Sequence, residues 1–138
     1  MISEYTYIKV RPLVEGLKLL EQEHDGEWVD LRAAETVSMV PNEFRRIRLG
    51  ISVVLPEGYE AHIAPRTTTF EKWGIMPTSS PYVVDNKFCD EYDEWTFPVI
   101  AMRNTKIHKN DRICQFKVVK SQPPVYVNYV DNKKRGVV

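Results

Sequence analysis

Four short stretches of this 138-residue chain set charged or hydroxyl side chains beside turn-forming residues. They are Val29-Asp30-Leu31-Arg32-Ala33-Ala34-Glu35, Ala64-Pro65-Arg66-Thr67-Thr68-Thr69, Val83-Val84-Asp85-Asn86-Lys87-Phe88 and Asn110-Asp111-Arg112-Ile113-Cys114-Gln115. Taken singly, each has an ordinary structural explanation. An aspartate at a strand end usually forms a turn, and Asp111-Arg112 reads as a solvated ion pair. A few local arginines can nonetheless hold a small anion in a chain whose formal net charge is zero. The order and spacing of the four stretches, all within one domain-sized chain, give them weight that none has alone.

The elements that must position these residues read as short strands. Apolar and polar residues alternate, or strand-forming residues cluster, over Tyr5–Val10, Glu43–Leu49, Ile51–Leu55, Tyr59–Ala64, Trp95–Ala101, Arg112–Val119 and Val125–Val130. That is the period of a half-buried strand. Pro41-Asn42, Pro56-Glu57-Gly58, Lys109-Asn110-Asp111 and Pro123-Pro124 punctuate them as turns. Many short strands at this spacing predict an all-β sandwich or barrel. Two helical stretches are expected at most: Leu13–Gln22, interrupted by Gly16, and Thr67–Trp73, where one of three threonines could cap the start and Glu71 lies near the positive end. One domain over residues 1–130 and a short polar tail over 131–138 are expected.

Composition excludes several classes. The balanced charge lacks the basic footprint of a protein that binds a nucleic acid polymer. No run is apolar for long enough to span a membrane, and the first residues, MISEYTYIKVRP, show no apolar signal core, which points to the cytoplasm. Cys89 and Cys114 stand far apart without companions at ligand spacing, so they read as two reduced thiols and not as a zinc site. His24, His62 and His108 lack partners for a relay or a metal, and Trp28, Trp73 and Trp95 read as core or interface aromatics.

From about Trp28 to Pro123 the chain resembles the trimeric dUTPases, particularly the short enzymes of Firmicutes bacteria and their phages. The likeness extends to Leu55-Pro56-Glu57-Gly58-Tyr59-Glu60-Ala61-His62 and Asp111-Arg112-Ile113-Cys114-Gln115-Phe116. The resemblance implies a distorted jelly-roll β-barrel, a homotrimer, and hydrolysis of dUTP, or a related nucleotide, to the monophosphate and pyrophosphate. It places Asp30 in metal–phosphate organisation and Arg32 in the central architecture of the trimer. Arg66, Thr67, Thr68 and Gln115 fall where phosphates are held, with threonines in place of the usual serines. A guanidinium fork suits that work because it donates two parallel hydrogen bonds. Asp85 falls on the general base that deprotonates the water attacking the α-phosphorus. Mg²⁺, held through the triphosphate and not directly by the protein, neutralises developing charge. Tyr82, Val84, Phe88 and Asp90 fall around the base and sugar, Phe88 replacing a tyrosine whose ring packs under the deoxyribose.

Three departures from the family pattern surround the ligand. Tyr82 and Asp90 stand where glycines are usual, and glycine permits close backbone approach or a positive φ. The family's glycine-rich C-terminal arm closes over a neighbouring subunit's nucleotide, and here Lys134-Arg135-Gly136-Val137-Val138 stands in its place. Two readings follow: a dUTP diphosphatase, favoured by the retained general base, and a phage protein that captures a nucleotide signal without turning it over. A trimer whose main partner is another protein has no inserted segment to support it, and no deaminase constellation is present.

Overall fold

The structure is a computed structural model that describes residues 5–22, 25, 27–85 and 93–132. The expectations placed on His24, Phe88, Cys89, Asp90 and the tail from residue 133 lie outside the described residues. In chain order the elements are β1 (Lys9–Pro12), β2 (Val29–Arg32), β3 (Val37–Met39), β4 (Phe44–Arg48), β5 (Ile51–Val54), β6 (Tyr59–Pro65), α1 (Thr69–Trp73), β7 (Ile75–Pro77), β8 (Tyr82–Val84), β9 (Thr96–Ala101), β10 (Thr105–Ile107) and β11 (Arg112–Lys120). The strands pair into a four-stranded sheet β2-β11-β6-β8, a three-stranded sheet β4-β9-β7, and the pairs β1-β5 and β10-β3. Every pairing is antiparallel.

Period-two alternation decides what each strand buries. On β6, Ala61 and Ile63 point into the core while Glu60 and His62 point away; on β11, Cys114 and Phe116 are buried and Gln115 and Lys117 are not. Phe97, Val99 and Ala101 do the same for β9. These residues join Leu31, Ile47, Leu49, Val53 and Trp95 in one core cluster. The Trp95 and Phe116 rings meet edge to face, with centroids 5.3 Å apart and planes at 88°, a geometry the ring quadrupoles favour. Trp73 packs at the margin of this core, and Trp28 lies under the Lys117 ammonium.

The expected all-β architecture is the one found, and five of the predicted runs coincide with β4, β5, β6, β9 and β11. The turn signals also hold: Asn42 and Asn110 take positive φ, and Tyr59 N–H donates to Pro56 O across the Pro-Glu-Gly turn. Residues 13–22 form no helix. Gly16 adopts φ +78°, its carbonyl accepts from Asn110 Nδ2, and Lys18 N–H donates to Asn110 Oδ1, so backbone groups a helix would need serve the β10–β11 turn. The first strand begins at Lys9, four residues later than its sequence pattern suggested. Val125–Val130 alternates as a strand would, yet belongs to none; its valines and tyrosines lie exposed on the chain. The short helix α1 ends at Gly74, where φ is +62° and an added Cβ would lie 2.7 Å from the Arg103 side chain. Only glycine fits there.

Candidate functional site

The site is built on the outward face of the sheet β2-β11-β6-β8. Gln115 on β11 pairs with Asp30 on β2 and with Ala64 on β6, so the three form one row across the sheet. Arg66 follows the end of β6 and folds back over that row. Its Nε lies 3.0 Å from Asp30 Oδ1, and its Nη1 donates to the Arg112 carbonyl at 3.3 Å. Arg112 Nη1 approaches the other Asp30 oxygen at 3.5 Å. Gln115 Nε2 donates to Pro65 O at 3.2 Å. One carboxylate thus orients two guanidinium groups. A guanidinium carries five N–H donors, so Arg66 keeps several for an anion after these contacts. The face is half-buried, which preserves more of each charge's field than open solvent would.

The turn that delivers Arg66 is held by the third threonine of its motif. Thr69 is fully buried; its Oγ1 accepts from Arg66 N–H at 2.8 Å and donates to Ile113 O at 2.9 Å. Thr68 occupies the position before α1 without a side-chain capping bond, and Thr67 is exposed. Thr69→Val is expected to lower stability by about 1–3 kcal/mol, because it strands the part-buried Arg66 N–H and the buried Ile113 carbonyl. Urea denaturation should show a lower midpoint at an unchanged slope, with Thr69→Ser close to wild type; an unshifted Thr69→Val midpoint would show that the turn does not depend on this hydroxyl.

Beneath the row, burial pushes the Cys114 thiol well up, and the nearby Asp30 charge adds to the effect. It is a free, buried cysteine and stays protonated.

Asp85 is not part of this cluster. It is exposed and directly follows β8, whose Val84 lies opposite Ala61. Asp30 is three strands away across the sheet and two side-chain rows further along it. At ~4.8 Å per strand and ~3.3 Å per residue, the two carboxylates are on the order of 20 Å apart. One chain therefore presents the two halves of the predicted site at separate places on one face. Tyr82 pairs with Ile63 and packs against the core, and Val84 is buried, so only the backbone of Val84 can face a ligand.

Several contacts escaped the reading of the sequence. Arg112 pairs with Asp30 and not with its neighbour Asp111, whose carboxylate accepts from His108 N–H at 2.8 Å. His62 Nε2 lies 2.6 Å from Glu60 Oε2; two polar residues at i and i+2 on a strand share a face, and that spacing was the available signal. Arg32 Nη1 donates to Asn110 O at 2.8 Å, tying β2 to the turn before β11.

The family model described as dUTPase matches residues 28–137, and the chain belongs to the dUTPase family. An SPbeta prophage-derived deoxyuridine 5'-triphosphate nucleotidohydrolase, YosS of Bacillus subtilis, is 43% identical over 129 residues, covering 94% of this chain and 91% of that protein. A deoxyuridine 5'-triphosphate nucleotidohydrolase of Maricaulis maris is 34% identical over 140 residues, covering 94% and 90% respectively. Among solved structures, a dUTPase of phage phi11 of S. aureus superposes with a TM-score of 0.74 at 18% identity, covering 91% of this chain and 97% of that one. The dUTPase of Staphylococcus bacteriophage 80alpha does so with a TM-score of 0.76 at 17% identity and the same coverage. The fold is thus the jelly-roll barrel of the phage dUTPases. No helix among the described residues is long and apolar enough to cross a membrane.

Proposed function

We propose that this protein hydrolyses dUTP to dUMP and pyrophosphate in clefts formed between the copies of a homotrimer, acting in the cytoplasm on free nucleotide. The observation that carries the reading is the Asp30–Arg66–Gln115 row, in which one carboxylate orients Arg66 and Arg112 across the outward face of the sheet. Arg66, Thr67, Thr68 and Gln115 bind the phosphates, and Asp30 aims Arg66. Asp85 accepts a proton from water while the water oxygen bonds to the α-phosphorus. The bond from that phosphorus to its bridging oxygen breaks, and pyrophosphate leaves. Phe88 supports the deoxyribose, and the backbone of Tyr82 and Val84 bounds the base together with Asp90. The trimer is supported by the distance between the two halves of the site: a nucleotide held by the arginine cluster of one copy needs Asp85 from another. Residues 1–130 act as one domain, with 131–138 as its tail.

The donor set fits a magnesium ion carried by the nucleotide. Asp30 already serves two arginines, which leaves the phosphates themselves as the oxygen ligands a Mg²⁺ would take. Mg²⁺ bound through the triphosphate supplies charge neutralisation at the phosphate oxygens.

The test is pyrophosphate release by the full chain with Mg²⁺ and dUTP, alongside the other nucleoside triphosphates, with mass measured by light scattering. Turnover of dUTP by a particle of three chains is expected. Absence of release from every triphosphate would overturn the reading and favour capture without turnover, the function that Tyr82 and Asp90 in place of glycines would suit.

A further inference from the structure

We infer that Arg103 is a positioning residue for the turn Arg66–Thr68, acting through the short helix α1; the inference rests on that turn holding the nucleotide's phosphates. The turn leads directly into α1, and backbone bonds join the two. Thr69 N–H donates to Arg66 O at 3.1 Å, and Lys72 N–H donates to Thr68 O at 3.0 Å. A helix leaves its last carbonyls without partners of its own. Arg103, in the turn between β9 and β10, supplies one: its Nη2 donates to Glu71 O at 2.7 Å. Its stem lies across Gly74, where an added Cβ would come within 2.7 Å of Arg103 Cγ. The neighbouring Met102 N–H donates to Gly74 O at 2.8 Å.

The Glu71 carbonyl and the Lys72 N–H belong to one peptide group, which is planar and rigid. Arg103 thus holds one side of that plane, and the other side holds the Thr68 carbonyl. A charged donor on the oxygen also polarises the N–H opposite it, which strengthens the bond to Thr68. The barrel has little need of this cap. Beyond Gly74 the chain is secured by the β7–β9 ladder, in which Ile75 is buried and lies opposite Ala101. What the cap holds is α1 itself. Five residues are too few for a helix to persist on its own backbone bonds, so its geometry depends on what grips its ends. Thr69 pins the first end to Ile113, while Thr68 adds no side-chain capping bond. Arg103 holds the second end, where a cation also suits the partial negative charge of the last carbonyls.

The experiment uses the full chain with Mg²⁺ and compares wild type, Arg103→Met, Arg103→Lys and Arg66→Ala. It reads kcat and KM for dUTP, calorimetric affinity for inorganic pyrophosphate, and the urea midpoint. Arg103→Met keeps the stem over Gly74 and removes the donor. It is expected to raise KM and weaken pyrophosphate binding about fivefold, the size of one net hydrogen bond. Because the turn binds phosphate and does not carry the base, kcat should stay within about twofold, and the midpoint should barely move. Arg103→Lys retains a donor and should recover part of both losses. Unchanged KM and pyrophosphate affinity in folded Arg103→Met, or losses that only follow the fraction unfolded, overturn the inference. The pyrophosphate measurement needs no turnover. Undiminished pyrophosphate binding by Arg66→Ala would instead refute the turn as the phosphate site, independently of Arg103.

Discussion

Asp85→Asn is expected to reduce kcat for dUTP by roughly 10²–10⁴-fold, the range lost when a positioned general base is removed. Asparagine preserves the size of the side chain and offers a hydrogen-bonding oxygen, but it cannot take the proton released as water attacks phosphorus. Because Asp85 is exposed at the end of a short edge strand, the change creates no cavity. Fold and trimer should survive it. Nucleotide affinity should survive as well, since Arg66 and Gln115 keep every donor they offer to the phosphates. Stopped-flow pyrophosphate release and titration calorimetry with dUTP would separate rate from affinity. Rapid turnover by the variant would remove Asp85 from the chemistry; a matched loss of affinity would give it a binding role instead.

Arg66→Ala is expected to lower kcat/KM by roughly 10²–10⁴-fold, corresponding to the loss of two charge-assisted hydrogen bonds to phosphate at about 1.5–3 kcal/mol each. The effect reaches beyond the missing donors. Asp30 would lose its 3.0 Å partner and, among the described residues, keep Arg112 at 3.5 Å, leaving a carboxylate that would repel a triphosphate bound there as proposed. Arg66→Lys should recover only part of the loss, because an ammonium can meet Asp30 or a phosphate but cannot span both in a fixed plane. Steady-state kinetics and dUTP affinity across the three proteins check this. Full rescue by lysine would mean that charge alone is required there.

The geometry also shows why the departures from the family pattern weigh unequally. Tyr82 replaces a glycine, yet it pairs with Ile63 and packs toward the core. Its bulk is therefore largely absorbed by the barrel and kept off the outward face. The methyl groups of Thr67 and Thr68 remain at the surface of the turn, where a phosphate can be approached from solvent.

Much of this protein was legible in the order of its residues. Alternation over Tyr59–Ala64 and Arg112–Val119 announced the two strands that carry the site, and Asn42, Gly58 and Asn110 marked turns that do require positive φ. That Asp30, Arg66 and Gln115 belong together was likewise suggested by their motifs, and the three meet on one face of the sheet. β3, β7, β8 and β10 were not legible, since three residues are too few for a period of two to stand out, and β2 was read only as a motif. The stretch at residues 13–22 shows the opposite failure: an apparent helical pattern gave way to backbone bonds with Asn110, far along the chain. Tertiary structure alone decided that Arg112 would serve Asp30, that Thr69 would pin the arginine turn to Ile113, and that Glu94 would grip Arg48 and Gly50. It alone separated Asp85 from the phosphate cluster. The physical reason is the same in each case: a strand's own residues choose its inward face, but its neighbours across the ladder are chosen by the register and order of the whole sheet.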